Sequence, residues 1–183
     1  HIIFDGAAHL SLASRPSLAE RCFVISSFGK TTHTTGWKIG YCCAPKNMTT
    51  ELRKVHQFMV FTVPSVLQYG LAAYTADPST YLTLPAFYQR KRDHLAAGLS
   101  NTRFKVLPSP GTFFMLADYS EISNATEADF SIWLTKRHGV TVIPVSAFYE
   151  DPMASTSNHR IVRFCFAKKD TTLDQAIDRL TKI

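Results

Sequence analysis

From Asp77 onward the sequence changes its hydrophobic period several times, and this succession constrains the fold more than any other feature. Asp77-Pro78-Ser79 puts an N-cap candidate directly before a proline at the first helical position. A long helix follows, restarting at Pro85 and carrying Phe87, Tyr88, Leu95 and Leu99. Residues 104–107 and 112–117 read as strands separated by Pro108-Ser109-Pro110-Gly111, which is turn chemistry. Thr126 to Asp129 forms a capping box ahead of the stripe Phe130, Trp133 and Leu134, and Gly139 stops that helix. Residues 140–145 and 161–166 are again strands, and Thr171-x-x-Asp174 caps a last helix with Leu173, Ile177 and Leu180. Helix, two strands, helix, two strands, helix is the pattern of an α/β or α+β unit.

The earlier residues read differently. His1-Ile2-Ile3-Phe4 has the character of a buried strand but opens with neither Met nor a cap, so a piece of a longer chain is expected. Cys22-Phe23-Val24-Ile25 is a second short apolar run. Six hydroxyl residues then fall between Ser26 and Thr35, together with Gly29, Lys30 and His33, before a further strand at 37–43. Pro45-Lys46-Asn47 and Thr49-Thr50-Glu51 open a helix with Leu52, Val55, Met59 and Val60 at spacings of three and four, and another helix follows Pro64 through Val66, Leu67 and Leu71. No repeat or low-complexity segment interrupts the chain.

Composition narrows the function classes. With 183 residues, 45% of them hydrophobic and 19% charged, the chain can build a core of its own, as one domain or two small ones. The net charge of +6 is dispersed apart from Arg90-Lys91-Arg92 and Lys168-Lys169, so anionic small ligands are expected rather than nucleic acid. The 4 cysteines lack the spacing of a disulfide framework or a zinc site, so no metal is expected and a reducing, cytoplasmic setting is. No apolar run reaches the roughly 18 residues that span a bilayer, and no membrane partner is expected.

Candidate chemistry gathers at Ser27-Phe28-Gly29-Lys30-Thr31. Gly-Lys-Thr ends a phosphate-binding P-loop, but that loop requires a glycine five residues before Gly29, where Val24 stands. What remains is a lysine just after a strand, ringed by hydroxyls, with a second cation at Lys38. Such a set suits a small phosphorylated ligand: Ser27 and main-chain amides bond the phosphate, Lys38 neutralises it and Lys30 faces the reactive carbon as a Schiff-base lysine. A solvated loop with two ordinary lysines is the alternative. Arg163 shares a strand face with Ile161 and Cys165 and needs a carboxylate there, since an unpaired buried charge costs several kcal/mol. That carboxylate is either an Asp or Glu of the fold or the α-carboxylate of an amino acid. His33, His56 and His94 lack metal spacing; Phe113, Phe114, Phe148 and Tyr149 read first as core, with an apolar pocket lining as the alternative; Arg90-Lys91-Arg92 reads as a solvated helix face and Arg160 as surface.

The stretch from Ser27 to Lys30-Thr31 and on through Thr35-Gly36-Trp37-Lys38-Ile39-Gly40-Tyr41 resembles the lysine motif of class I/II aminotransferases, which use pyridoxal 5′-phosphate (PLP) on fold type I. Within that family it is most similar to the kynurenine, glutamine and methionine aminotransferase branch, and the likeness continues through Arg53-Lys54-Val55-His56-Gln57, Gly111-Thr112-Phe113-Phe114 and residues 163–169. The resemblance implies an α/β fold in which residues 1–75 are the end of the large parallel-sheet PLP domain and residues 76–183 the small C-terminal domain. It implies Lys30 as the Schiff-base lysine, Ser27 and Lys38 as phosphate ligands and Arg163 as the substrate-carboxylate arginine. It further implies a homodimer that moves amino groups between an amino acid, of methionine or aromatic type, and a 2-oxo acid. Lys38 stands where many relatives have an arginine, a point charge in place of a planar fork. A PLP-dependent carbon–sulfur lyase and the aminotransferase-like sensor of a regulator share these residues and are the alternative readings. The family's cofactor-ring aspartate, phosphate-turn glycine and ring-stacking aromatic would precede His1, so the chain by itself is expected to have little or no activity.

Overall fold

In a computed structural model describing residues 1–183, the periods of the sequence resolve into six strands and eight α-helices, grouped in two units that divide at Leu84 and Pro85. The first unit comprises His1 and residues 7–84, and the second residues 2–6 and 85–183.

In the first unit a short helix α1 (Pro16–Ala19) precedes β1 (Val24–Ser27), which pairs antiparallel with β2 (Gly40–Cys43) from Val24↔Cys43 to Ser27↔Gly40. The hydroxyl-rich segment between them is structured: it holds the one-turn helix α2 (Phe28–Thr31) and a 3₁₀ turn over Thr35–Trp37. The strand expected over 37–43 starts only at Gly40, because Lys38 takes the left-handed conformation, with φ 56° and ψ 38°. Three further helices follow, α3 (Lys46–Met59), α4 (Ser65–Thr75) and α5 (Ser79–Leu82). α3 begins at Lys46, directly after Pro45 and within the expected start. Asp77 does serve the start of α5: its carboxylate accepts from the Ser79 N–H at 2.9 Å and from the Ser79 hydroxyl at 2.8 Å, although Pro78 occupies the cap position.

The second unit is built on an antiparallel sheet in the order β3-β4-β6-β5, formed by β3 (Lys105–Val106), β4 (Phe114–Asp118), β5 (Ile143–Pro144) and β6 (Ile161–Cys165). It also holds α6 (Leu84–Leu99), α7 (Glu127–His138) and α8 (Asp170–Leu180). Along β4 and β6 burial alternates with period two, placing Met115, Ala117, Val162 and Phe164 in the core and Phe114, Leu116, Ile161, Arg163 and Cys165 on the less buried face. Tyr88, Leu95 and Leu99 of α6, Phe130 and Leu134 of α7, and Leu173 and Leu180 of α8 complete that core. Tyr119 stacks on Phe130 at 3.8 Å, donates to the Ala125 carbonyl at 2.9 Å, and is pushed above its ordinary pKa by burial.

Several expectations are corrected by local chemistry. The opening strand reduces to a single bridge between Ile3 and Gly111, with Phe4 buried beside it. The strand expected over 140–145 shrinks to two residues: Pro144 has no N–H to extend the ladder, and a 3₁₀ turn over Val145–Phe148 takes over. α8 starts at Asp170, with Lys169 and not Thr171 at the cap. α7 keeps its expected signals, since Thr126 Oγ1 accepts from the Asp129 N–H at 3.2 Å and Gly139 adopts φ 65°. Of the Arg90-Lys91-Arg92 run only Arg90 is exposed as expected. The Lys91 and Arg92 side chains are only 11% and 12% exposed, because Lys91 pairs with Asp170 at 2.5 Å and Arg92 with Asp5 at 2.7 Å.

Glu127, the first residue of α7, is almost fully buried, and its carboxylate accepts three main-chain N–H bonds. Oε2 takes Ser146 at 2.5 Å; Oε1 takes His159 at 3.1 Å and Ile161 at 3.0 Å. A buried carboxylate satisfied in this way joins the turn after β5 to the start of β6.

Close approach of α6 and α8 leaves no room at Gly98, where a Cβ would lie 2.4 Å from Ile177 Cδ1. Although alanine is the better helix former, Gly98→Ala is expected to destabilise the chain by about 1–3 kcal/mol in urea denaturation, and adding Ile177→Ala is expected to recover part of that loss.

Candidate active site

Ser27 ends β1 and caps α2, its hydroxyl accepting from the Gly29 N–H at 3.1 Å. The hydroxyl proton stays free to donate outward. Lys30 lies on the single turn of α2, exposed, one residue beyond the buried Gly29. The loop folds back tightly on itself. Thr35 Oγ1 donates to the Gly29 carbonyl at 3.1 Å, Thr32 donates to the Phe28 carbonyl at 2.9 Å, and the Phe28 N–H reaches the Ile39 carbonyl at 3.1 Å. Two glycines permit this closure: a Cβ on Gly29 would sit 3.0 Å from Thr35 Cα, and one on Gly40 would sit 2.5 Å from the Ser26 carbonyl oxygen. Ser27, Gly29, Lys30, Thr35 and Lys38 line one open cleft of about 400 Å³. The cleft therefore gathers two lysines and three hydroxyl residues, Ser26 among them, on a pinched hairpin loop. Lys38 holds its place in the left-handed region at a cost of roughly 1–2 kcal/mol for a side-chain-bearing residue, the kind of strain that clusters at functional loops.

Arg163 lies in the second unit, in the middle of β6, paired with Leu116 on one side and Ile143 on the other. Its guanidinium carbon lies 3.9 Å from the centroid of the Phe114 ring and 4.9 Å from that of Phe148. Phe114 is its diagonal neighbour across the β4–β6 pair, on the same face. No Asp or Glu oxygen comes within 4.0 Å of Arg163, and its Nε is buried without a hydrogen-bond partner. The face is half-buried rather than apolar core, and the guanidinium is held by rings and not by a carboxylate of the fold.

A protein-family model described as aminotransferase class I and II matches residues 2–180. The chain belongs to that family. Among curated relatives of this aminotransferase chain, the methionine aminotransferase of Escherichia coli K12 is 46% identical over 184 residues, covering 100% of this chain and 47% of that protein. Kynurenine–oxoglutarate transaminase 1 of Mus musculus is 35% identical over 197 residues, covering 97% and 46%. A crystal structure from Escherichia coli, reported as identifying a methionine aminotransferase function, superposes with a TM-score of 0.92 at 46% identity, over 100% of this chain and 47% of that one. That of N-succinyldiaminopimelate aminotransferase from Mycobacterium tuberculosis gives 0.85 at 37% identity, over 99% and 47%. The aminotransferase fold of these structures is the fold of this chain over the matched part. The chain spans about half the length of the curated relatives it matches.

Other residues singled out in this aminotransferase sequence find simpler places. His94 pairs with Asp174 at 2.6 Å, and Arg160 donates to Asn124 at 3.0 Å. No helix is long and apolar enough to cross a membrane. Phe114 and Phe148, expected first as core with a pocket lining as the alternative, are half-buried and 64% exposed respectively, and both lie against Arg163. It also passed over Glu127, whose only signal was an acid just inside a helix start, where acids are common for dipole reasons alone.

The hairpin geometry yields a test. Gly40→Ala places a methyl against the Ser26 carbonyl and is expected to pry β1 from β2; hydrogen exchange of the Phe28 amide should accelerate at least tenfold, the equivalent of about 1.4 kcal/mol in local opening.

Proposed function

We propose that this chain is part of a PLP-dependent transaminase that moves an amino group between an amino acid and a 2-oxo acid. The observation that carries the proposal is the cleft in which Ser27, Lys30 and Lys38 converge, in a chain of this family. Its donor set fits PLP: an exposed primary amine can condense with an aldehyde, and a hydroxyl and a second ammonium can hold a phosphate. Bound there, PLP would supply the electron sink that lets the substrate α-carbon lose a proton.

The protein's own residues do the rest. Lys30 would hold the cofactor aldehyde, and its amine, freed again, would move the proton at the substrate α-carbon. Positioned proton transfer of this kind contributes roughly 10²–10⁴ in rate. Ser27 and Lys38 anchor the phosphate, Lys38 as a point charge. Arg163, without a carboxylate of its own fold and with its rings behind it, receives the substrate α-carboxylate through two parallel N–H bonds.

Residues 1–75 are proposed as the end of the PLP domain and residues 76–183 as the small domain of a cytoplasmic homodimer. In support, the first unit leaves Ile25, Phe58, Met59, Phe61, Val66 and Tyr69 each at least 78% exposed, an apolar surface of a kind that proteins cover. The substrate class is methionine or an aromatic amino acid, by likeness to relatives named for methionine and kynurenine.

Borohydride reduction of PLP-incubated full-length protein, followed by peptide mapping, is expected to place the pyridoxyl label on Lys30. The 183-residue chain alone is expected to take up little. Lys30→Ala should lower amino-group exchange by at least about 10². Label on another lysine of the full-length protein, or none, would overturn the assignment.

A further inference from the structure

Arg163 is presented by packing, and the packing has an identifiable support. Phe148, the last residue of the 3₁₀ turn after β5, lies over the guanidinium, while Phe114 lies closer on the neighbouring strand. Phe148 is largely exposed, so little holds it in place except the turn that carries it. That turn is fixed through the Ser146 N–H by Glu127 Oε2, and the same carboxylate fixes through Oε1 the N–H of Ile161, two residues before Arg163. One buried group therefore sets both the arginine's strand and the ring that covers it.

We propose that Glu127 is a positioning residue for carboxylate recognition, acting through Phe148 and β6 to hold the Arg163 guanidinium with its free N–H groups toward the ligand. The inference rests on the reading of Arg163 as the carboxylate receptor and adds a residue to it. A merely structural acid at a helix start would interact with its own helix; this one spends all three of its hydrogen bonds on the two segments that flank Arg163.

The two oxygens can be tested separately. In Glu127→Gln the carbonyl keeps the paired bonds to His159 and Ile161, and the amide nitrogen, which cannot accept, meets the Ser146 N–H and releases the Phe148 turn. Phe148→Leu removes the ring from an exposed position where folding does not depend on it. Calorimetric titration of the full-length PLP-bound protein would use 4-(methylsulfanyl)butanoate, a carboxylate without an amine, and the matching neutral amide as control.

Glu127→Gln and Phe148→Leu are each expected to weaken carboxylate binding roughly 3- to 10-fold, the range of a partly exposed cation–π contact. The double variant should be no weaker than twice the weaker single, because both changes remove one contact. The neutral amide should bind all of them alike. Unchanged carboxylate binding in Glu127→Gln, fully multiplicative effects, or equal losses for the amide would overturn the proposal. Arg163→Gln separates the underlying reading: if it binds the carboxylate as tightly as the parent, Arg163 is not the receptor and the positioning role falls with it, whereas loss in Arg163→Gln beside an unaffected Glu127→Gln overturns the positioning role alone.

Discussion

The second unit depends on the antiparallel pairing of β4 with β6. Five residue pairs, from Phe114↔Cys165 to Asp118↔Ile161, put strict alternation on both strands at the centre of the sheet. Met115, Ala117, Val162 and Phe164 thereby enter the core, and Phe114 and Arg163 are thrown together on the opposite face. A slip of one residue would exchange the two sets, burying the guanidinium and exposing Phe164. Core packing and ligand chemistry are thus selected by a single register. Burying a side chain of this kind is worth about 1.5–3 kcal/mol, which makes the slipped register inaccessible.

Where local signals agreed with each other, the sequence was readable. Thr126, Asp129 and Gly139 bracket α7 where their chemistry places them, and the order of helices and strands after Asp77 is the observed order. Legibility failed where a backbone conformation or a distant partner decides. Nothing in the composition of residues 37–43 announces that Lys38 turns left-handed and delays β2. Lys91 and Arg92 form a basic run in sequence, but their partners Asp170 and Asp5 lie far away along the chain. Phe148 read as core because aromatic residues near strands usually are; Pro144 ended the ladder and turned the ring outward onto an arginine. The lysine cleft was legible through its motif, while Arg163 was legible as to strand and only partly as to surroundings.

The two units differ in how they are held. All but three of the buried hydrophobic side chains, namely Ile39, Leu71 and Leu84, belong to the second unit. The first unit relies instead on short-range hydrogen bonding, with Thr32 and Thr35 tying the Lys30 loop to its own backbone and Thr34 bonded to the Thr32 hydroxyl. Such a loop can keep a lysine in place while leaving its amine in solvent, which a hydrophobic core could not do. It is the more polar solution and the more fragile one, since each neutral hydrogen bond is worth only about 1 kcal/mol net.

Residues 2–6 stand at the beginning of the sequence and belong to the later unit. Phe4 is buried there, its ring 6.2 Å from that of Phe166, and Asp5 grips Arg92 through both carboxylate oxygens. The polypeptide therefore passes from the second unit into the first after Gly6 and returns at Pro85. No single proteolytic cut can free either unit whole: cleavage after Leu84 leaves the 2–6 segment covalently attached to the wrong fragment. A dissection beginning at residue 85 would open the pocket that Phe4 fills and leave Arg92 with Asp93 as its one remaining carboxylate, so the smallest autonomous version of this unit has to be built as a circular permutant or with residues 2–6 grafted back.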